Sequence, residues 1–82
     1  MTIKELKDRG WLEVAIDKEY FVVASKQVNN RWIEIGYDTP TQHLQILRAY
    51  EHPAGFRTRE TIYNGKCPDI TTFNHLSNLL EL

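Results

Sequence analysis

The stretch that decides the fold is residues 39–51, which read Thr-Pro-Thr-Gln-His-Leu-Gln-Ile-Leu-Arg-Ala-Tyr-Glu and fit two different patterns. Thr39 suits the N-cap of a helix, Pro40 suits the first helical position, and Gln42 is placed to close a capping box. The apolar residues that follow then fall on one helical stripe, formed by Leu44, Ile46, Leu47 and Tyr50. These signals together predict a helix over residues 40–51.

The second pattern is the alternation typical of a strand. Leu44, Ile46, Arg48 and Tyr50 occupy every second position, and residues 56–63 alternate as well. In this alternative, residues 52–55 form a hairpin loop within a five-stranded sheet. The cap signals favour helix for residues 44–51. For residues 56–63 the sequence does not decide between helix and strand, because their β-branched residues suit a strand equally well.

In the helical interpretation, three helices follow one another from residue 39 to residue 82. The sequence His-Pro-Ala-Gly at 52–55 ends the first helix, because proline lacks an N–H and glycine permits reversal. A second helix begins at Thr58 and ends at residues 64–65 (Asn-Gly). Asp69 then caps a third helix, whose apolar seam is Phe73, Leu76, Leu79 and Leu80. This arrangement predicts a helix-turn-helix.

Three segments carry a family resemblance: residues 46–50 (ILRAY), residues 55–62 with Gly65 (GFRTRETI), and residues 72–80 (TFNHLSNLL). With them, residues 39–82 resemble the trihelical core of winged helix-turn-helix transcription regulators. The resemblance implies binding of double-stranded DNA, with the base-reading positions at Thr71, Thr72, Asn74 and His75. The chain departs from that family because it stops where a C-terminal wing would begin.

The N-terminal half has simpler signals. Residues 2–9 predict a short helix, with Gly10 at the position that follows the C-cap. Residues 11–16 and 20–28 read as strands with a polar turn at 17–19, and Asn29-Asn30 is a two-residue hairpin loop before a third strand at 31–37. That loop pairs Val28 with Arg31 and Ala24 with Ile35. One face of the hairpin is then apolar and is interrupted only by Lys26.

The predicted fold is therefore α+β. A single domain, residues 1–82, combines an N-terminal three-stranded antiparallel meander at 11–37 with a C-terminal three-helix, helix-turn-helix-like part at 39–82. A chain of 82 residues has a modest core, which dimerisation would extend. It has no apolar run of membrane-spanning length and no secretory signal pattern, and its one cysteine fits a reducing compartment. We expect a cytoplasmic protein that does not contact membranes.

The residues that could bind DNA are the uncharged polar face of the third helix and nearby cations. Asparagine can bond adenine bidentately in the major groove, and Arg or Lys can hold phosphates without reading sequence. The predicted DNA-binding set is Arg57, Arg59, Lys66, Thr71, Thr72, Asn74, His75 and Asn78. The plainer interpretation is a solvated helix face with ordinary surface charge. The net charge of −1 and the balance of acids and bases over 39–82 give no broad basic field.

No catalytic, metal or cofactor site is predicted. His43, His52 and His75 have no metal-like spacing with each other or with Cys67, and nothing near Cys67 suggests an oxyanion hole. Trp32 lies on the second face of the predicted hairpin. If exposed beside Phe21, it would mark an interaction patch.

Two functional hypotheses follow. The first is a small sequence-specific DNA-binding transcriptional regulator that acts as a homodimer. The alternative is a small protein-binding inhibitor or adaptor from a phage or other mobile element, which binds a protein partner through its sheet face or its polar helix, without DNA binding.

Overall fold

The computed structural model describes residues 1–16, 21–28 and 31–82, and the structural statements below refer to these residues. Two helices flank five strands along the chain. In order they are α1 (Ile3–Asp8), β1 (Leu12–Ile16), β2 (Phe21–Val28), β3 (Arg31–Asp38), β4 (His43–Glu51), β5 (Arg57–Lys66) and α2 (Ile70–Leu80). The predicted turns at 17–19 and 29–30 lie outside the described residues.

The five strands form one antiparallel sheet whose spatial order, β1-β2-β3-β4-β5, is the order along the chain. The predicted register of the second hairpin is confirmed, since Val28 pairs with Arg31 and Ala24 with Ile35. The pairing continues without a break from β3 to β4, where Ile35 lies opposite Ile46. A single irregularity interrupts the β4–β5 pair, between Ile46 and Leu47.

The helix predicted over residues 40–51 is wrong. Residues 39–42 form a tight turn, in which the Gln42 N–H donates to the Thr39 carbonyl at 3.3 Å and Gln42 has a φ of +56°. That left-handed conformation is incompatible with a continuing helix. Pro40 fits both structures, because its fixed φ suits the second residue of a turn as well as the first position of a helix.

The helix predicted from Thr58 is also wrong, because these residues belong to β5. The loop before it closes through two backbone hydrogen bonds of 2.9 Å, from His52 to the Phe56 carbonyl and from Gly55 to the His52 carbonyl. Gly55 has a φ of +89°, which glycine adopts without steric cost. The alternative of a hairpin loop at 52–55 within a five-stranded sheet is the one that the structure bears out.

These two corrections overturn the predicted fold. The protein is α+β, but it is not a three-stranded meander packed on a three-helix part, because two of the three helices expected between residues 39 and 82 are strands. The trihelical core on which the resemblance to winged helix-turn-helix regulators rested is therefore absent from the described residues. Tertiary pairing overrides local propensity here, since Leu, Gln, Arg and Ala all favour helices in isolation.

The terminal helices match their sequence signals. Thr2 caps α1 in a reciprocal capping box with Glu5, and Gly10 follows the C-cap with a φ of +87°. Asp69 caps α2, and its side chain accepts a hydrogen bond from the Thr72 N–H at 2.8 Å. One detail of the predicted seam is wrong, because Leu79 is 80% exposed.

Both helices contribute to one core on the same side of the sheet. Leu6 from α1 and Phe73 from α2 are buried with Ile33, Ile35 and other apolar residues of alternate strand positions. Trp11 packs edge-to-face on Phe73, with ring centroids 5.8 Å apart. Near the start of α2, the Tyr37 hydroxyl donates to the Cys67 carbonyl at 2.7 Å in a buried hydrogen bond. We call this side the helix-covered face.

Candidate functional site

The opposite side of the sheet has no covering layer among the described residues, and we call it the open face. Its members follow from strand alternation and register. Trp32 and Glu34 alternate with the buried Ile33 and Ile35 on β3, the central strand. Their cross-strand neighbours share that face. The open-face residues used below are Leu12, Val23, Trp32, Glu34, Leu47, Ala49, Glu51, Arg57, Arg59 and Lys66.

Apolar side chains lie on the open face around Glu34, which occupies the middle of β3 between Trp32 and Gly36. Trp32, Leu47 and Val23 are half-buried, and Leu12 at the edge strand is 61% exposed. The predicted interaction patch included Phe21 beside Trp32, but the Phe21 side chain lies outside the described part of the structure. Half-buried apolar residues on an otherwise uncovered sheet form a candidate binding surface.

Charged residues lie among these apolar side chains, and they are paired. Arg59 Nε donates to Glu34 Oε2 at 3.1 Å, and Arg57 Nη2 donates to Glu51 Oε1 at 2.8 Å. A second Arg57 nitrogen lies 3.8 Å from Glu34 Oε1. Carboxylates thus offset both arginines predicted to hold phosphates. The charges of this face are close to balanced, which favours a partner of mixed polarity over a polyanion.

The β4–β5 hairpin ends in a loop beyond the open face. The loop carries Phe56, which is 55% exposed and stacks on the His52 ring with centroids 4.2 Å apart. The His52 Nε2 atom lies 3.0 Å from Thr58 Oγ1, which fixes the imidazole against the strand. Because Thr58 alternates with Arg57 on β5, this stack lies on the other side of the hairpin from the open face. A shallow cavity of about 250 Å³ lies between Phe56 and Arg57, so Arg57 borders both surfaces.

The predicted polar residues of the third helix lie on α2, as expected. Thr71, His75 and Asn78 are exposed, whereas Thr72 and Asn74 are half-buried. The Thr72 N–H and hydroxyl hydrogen-bond to the Asp69 carboxyl, and these bonds hold the pKa of that carboxyl below its ordinary value. Thr72 therefore takes part in the cap of its own helix.

The structure does not bring the predicted DNA-binding set to one surface. Thr71, Asn74 and the other α2 residues belong to the layer on the helix-covered face, while Arg57 and Arg59 lie on the open face with Glu34. Lys66 lies opposite His43 at the end of β5. A base-reading helix needs phosphate contacts beside it, and the sheet separates the two arginines from α2. The DNA-binding role of these residues stays a prediction.

Sequence reasoning missed two residues beside α2. Arg9 Nε donates to Asn74 Oδ1 at 2.7 Å, and Lys26 Nζ lies 5.7 Å above the Trp11 ring. With Asn78, these cations line a groove on the helix-covered side. Lys26 gave a signal in the sequence, because it alone interrupted the apolar face of the hairpin. Arg9 gave none, since it looked like any charged residue of an exposed helix.

The cysteine and histidines lie apart from one another. Cys67 is fully buried, and burial raises the pKa of its thiol, so the reactive thiolate is disfavoured. His43 hydrogen-bonds to Asn64, His52 belongs to the hairpin loop, and His75 is exposed on α2. Within the described residues, no group of three metal-ligating side chains comes together.

Comparisons of the chain with protein-family models, with curated proteins and with solved structures give no match. In the described part of the chain, neither helix has the length and apolar character needed to cross a membrane.

Proposed function

We propose that this protein is a small protein-binding module, an inhibitor or adaptor, which engages its partner through the open face of its sheet. The observation that carries the proposal is that no described element covers this face, although Trp32 and Leu47 lie on it half-buried. Tryptophan is among the residue types that contribute most to binding energy at protein interfaces. The charges beside it on the open face are paired, which fits a partner of mixed polarity.

The size of the surface supports a single partner. Five strands spaced by about 4.8 Å, each about eight residues long, give a planar face of roughly 500 Å². A standard interface buries about 800 Å² on each partner, so the face alone is at the small end. The hairpin loop adjoins the face at Arg57, but its Phe56–His52 stack lies on the other side of the hairpin, with Thr58. We therefore expect the open face itself to make the main contact, in an interface at the small end of the usual range.

Charge also favours a protein partner. Glu34 and Glu51 offset Arg57 and Arg59 on the open face, and the whole chain has a net charge of −1. Nucleic-acid affinity comes largely from lysines and arginines that release counterions at phosphates. Arginines already paired with carboxylates contribute less to such binding, because their partners repel the phosphates.

The first test is affinity purification from cells, with variants on the two sides of the sheet. We expect the wild-type chain to retain a stoichiometric protein partner, with an absorbance ratio at 260 and 280 nm that shows no nucleic acid. Trp32→Ala should weaken binding to that partner by about 30-fold, the effect typical of a central interface residue. Leu47→Asp should abolish it, because the change places a second carboxylate opposite Glu34 and buries it in the interface.

The matched control is Leu79→Asp, which also places a charge on an apolar residue but on the exposed side of α2. This variant should retain the partner fully. The proposal is wrong if Trp32→Ala and Leu47→Asp bind the partner as well as the control does. It is also wrong if the purified chain carries duplex DNA and binds it at low salt more weakly after Asn74→Ala.

A further inference from the structure

The groove on the helix-covered side, noted above, has a volume of about 420 Å³ and lies where the end of α1 meets β2 and α2. Trp11 and Phe73 lie at its base, in edge-to-face contact. Two cations, Arg9 and Lys26, border it. It lies on the opposite side of the sheet from Trp32 and Leu47, so it is separate from the surface proposed to bind a protein.

The positive charges of the groove have only neutral partners among the described residues. Arg9 donates from Nε to the Asn74 amide oxygen and from Nη1 to the Glu5 carbonyl at 3.1 Å. Lys26 Nζ donates to the Arg9 carbonyl at 3.3 Å. Among the side chains that the structure describes, no Asp or Glu lines the groove. Two cations with neutral partners in a concave site produce a local positive potential that attracts anions.

Helix α2 adds uncharged polar groups to the same wall. Asn74, Ser77 and Asn78 occupy successive turns that border the groove. The Ser77 hydroxyl oxygen is buried and has no hydrogen-bond partner within the described structure. A buried polar atom without a partner is uncommon, and a bound group that accepts or donates a hydrogen bond would satisfy it.

The donor geometry distinguishes between classes of anion. Arg9 already uses Nε and Nη1 on neutral oxygens, so the flat two-nitrogen edge that pairs with a carboxylate is partly occupied. The remaining donors are single groups from different elements that line the groove: Arg9 Nη2, the Lys26 ammonium, the Asn78 amide and the Ser77 hydroxyl. Separate single donors suit a tetrahedral group with three terminal oxygens better than a planar one.

We propose that this groove is a binding site for a small phosphate monoester. Its phosphate group lies between Arg9 and Lys26, and the rest of the ligand lies along the amide side chains of α2. The inference goes beyond partner binding by the open face and does not depend on it.

The probes are glycerol 3-phosphate, inorganic phosphate and acetate, titrated at constant ionic strength. The reporter is the fluorescence of Trp11 in a Trp32→Phe background, because Lys26 lies over the Trp11 ring and a bound anion changes its surroundings. We expect glycerol 3-phosphate to bind with a Kd of about 1 mM or tighter. Inorganic phosphate should bind more weakly, because it lacks contacts along α2, and acetate should bind at least tenfold more weakly than glycerol 3-phosphate.

Two variants test the residues of the groove. Lys26→Gln removes one charge and keeps most of the stem that packs on Trp11, and we expect at least a tenfold loss of affinity. Asn78→Asp places a carboxylate in the groove at an exposed position, so binding should be lost while the fold remains intact, as checked by circular dichroism. The matched control is Lys66→Gln at the end of β5, which should leave the Kd unchanged.

The result that overturns the proposal is equal binding of acetate and glycerol 3-phosphate, or a Kd that Lys26→Gln and Asn78→Asp do not change. No response of Trp11 to glycerol 3-phosphate would overturn it as well. None of these outcomes bears on capture of a protein partner by the open face, which is tested by variants of Trp32 and Leu47.

Discussion

The helix-covered face and the open face of the sheet are made from the same strands, yet they differ in what protects their apolar residues. On β4, Leu44 is fully buried under the helices, whereas Leu47 is half-buried on the open face. On β3, Ile33 and Ile35 belong to the core, whereas Trp32 is half-buried on the open face. The comparison separates apolar residues that stabilise the fold from apolar residues that remain available to a partner.

The largest effect is expected from a matched pair of leucine substitutions on β4. Leu44→Ala should lower the free energy of unfolding by about 3–5 kcal/mol, because it leaves a cavity in the core. Leu47→Ala should lower it by only about 1 kcal/mol, because its side chain is partly solvated in the folded state. Urea denaturation followed by circular dichroism measures both. Similar values for the two variants would mean that the open face is as protected as the core.

A second matched pair of substitutions, at two tyrosines, tests whether burial determines how much a hydrogen bond contributes to the free energy of unfolding. Tyr37 and Tyr63 each donate to a backbone carbonyl at 2.7 Å, but the first bond is buried and the second is exposed. Tyr37→Phe should lower the free energy of unfolding by about 1–3 kcal/mol, because the Cys67 carbonyl loses a buried partner. Tyr63→Phe should lower it by less than about 0.5 kcal/mol, because water replaces the lost donor. Equal losses in urea denaturation would contradict this.

The smallest effect concerns the cap of α2, the helix that covers one face. The pKa of Asp69 lies below its ordinary value of 3.8, because the Thr72 N–H and hydroxyl bond to its carboxylate. The stabilisation is therefore fully present above the pKa of the unfolded chain and is lost as the pH falls through the lower pKa of the folded chain. Asp69→Asn keeps an acceptor but does not titrate.

We expect the Tm of the wild type to fall more than that of Asp69→Asn between about pH 5 and pH 3, with a difference of a few degrees. The other carboxylates are the same in both proteins, so the difference isolates Asp69. Parallel curves for the two proteins would show that the Asp69 charge does not stabilise α2.

Local signals predicted the parts of the fold that depend on local chemistry. The capping residues of α1 and α2 lie in sequence beside the N–H groups that they bind, and the β2–β3 register follows from a short connection. The helices over residues 40–51 and from Thr58 were predicted wrongly because these segments carry signals that a helix and a strand share. Pro40 is suited to a turn and to the start of a helix. An apolar residue such as Ile46 fits the apolar side of a helix and the apolar side of a strand equally well.

The candidate surfaces could be predicted only in part. The alternation of β3 placed Trp32 on the face opposite the apolar one, so the open face was partly visible. The separation of Arg57 and Arg59 from α2 could not be predicted from the sequence, because it depends on the pairing of β5 with β4. The contact between Arg9 and Asn74 joins residues 65 positions apart, and no local pattern predicts such a pair.

The sequence by itself determined the two end helices, their caps and the alternation that gives each strand an apolar side. Only the tertiary structure decided that residues 43–51 and 57–66 are strands, since their backbone hydrogen bonds are made with neighbouring strands and not within the segment. It also decided which side of the sheet became the core. That choice depends on where the helices pack, and the burial of Leu6 and Phe73 against one face left the other uncovered.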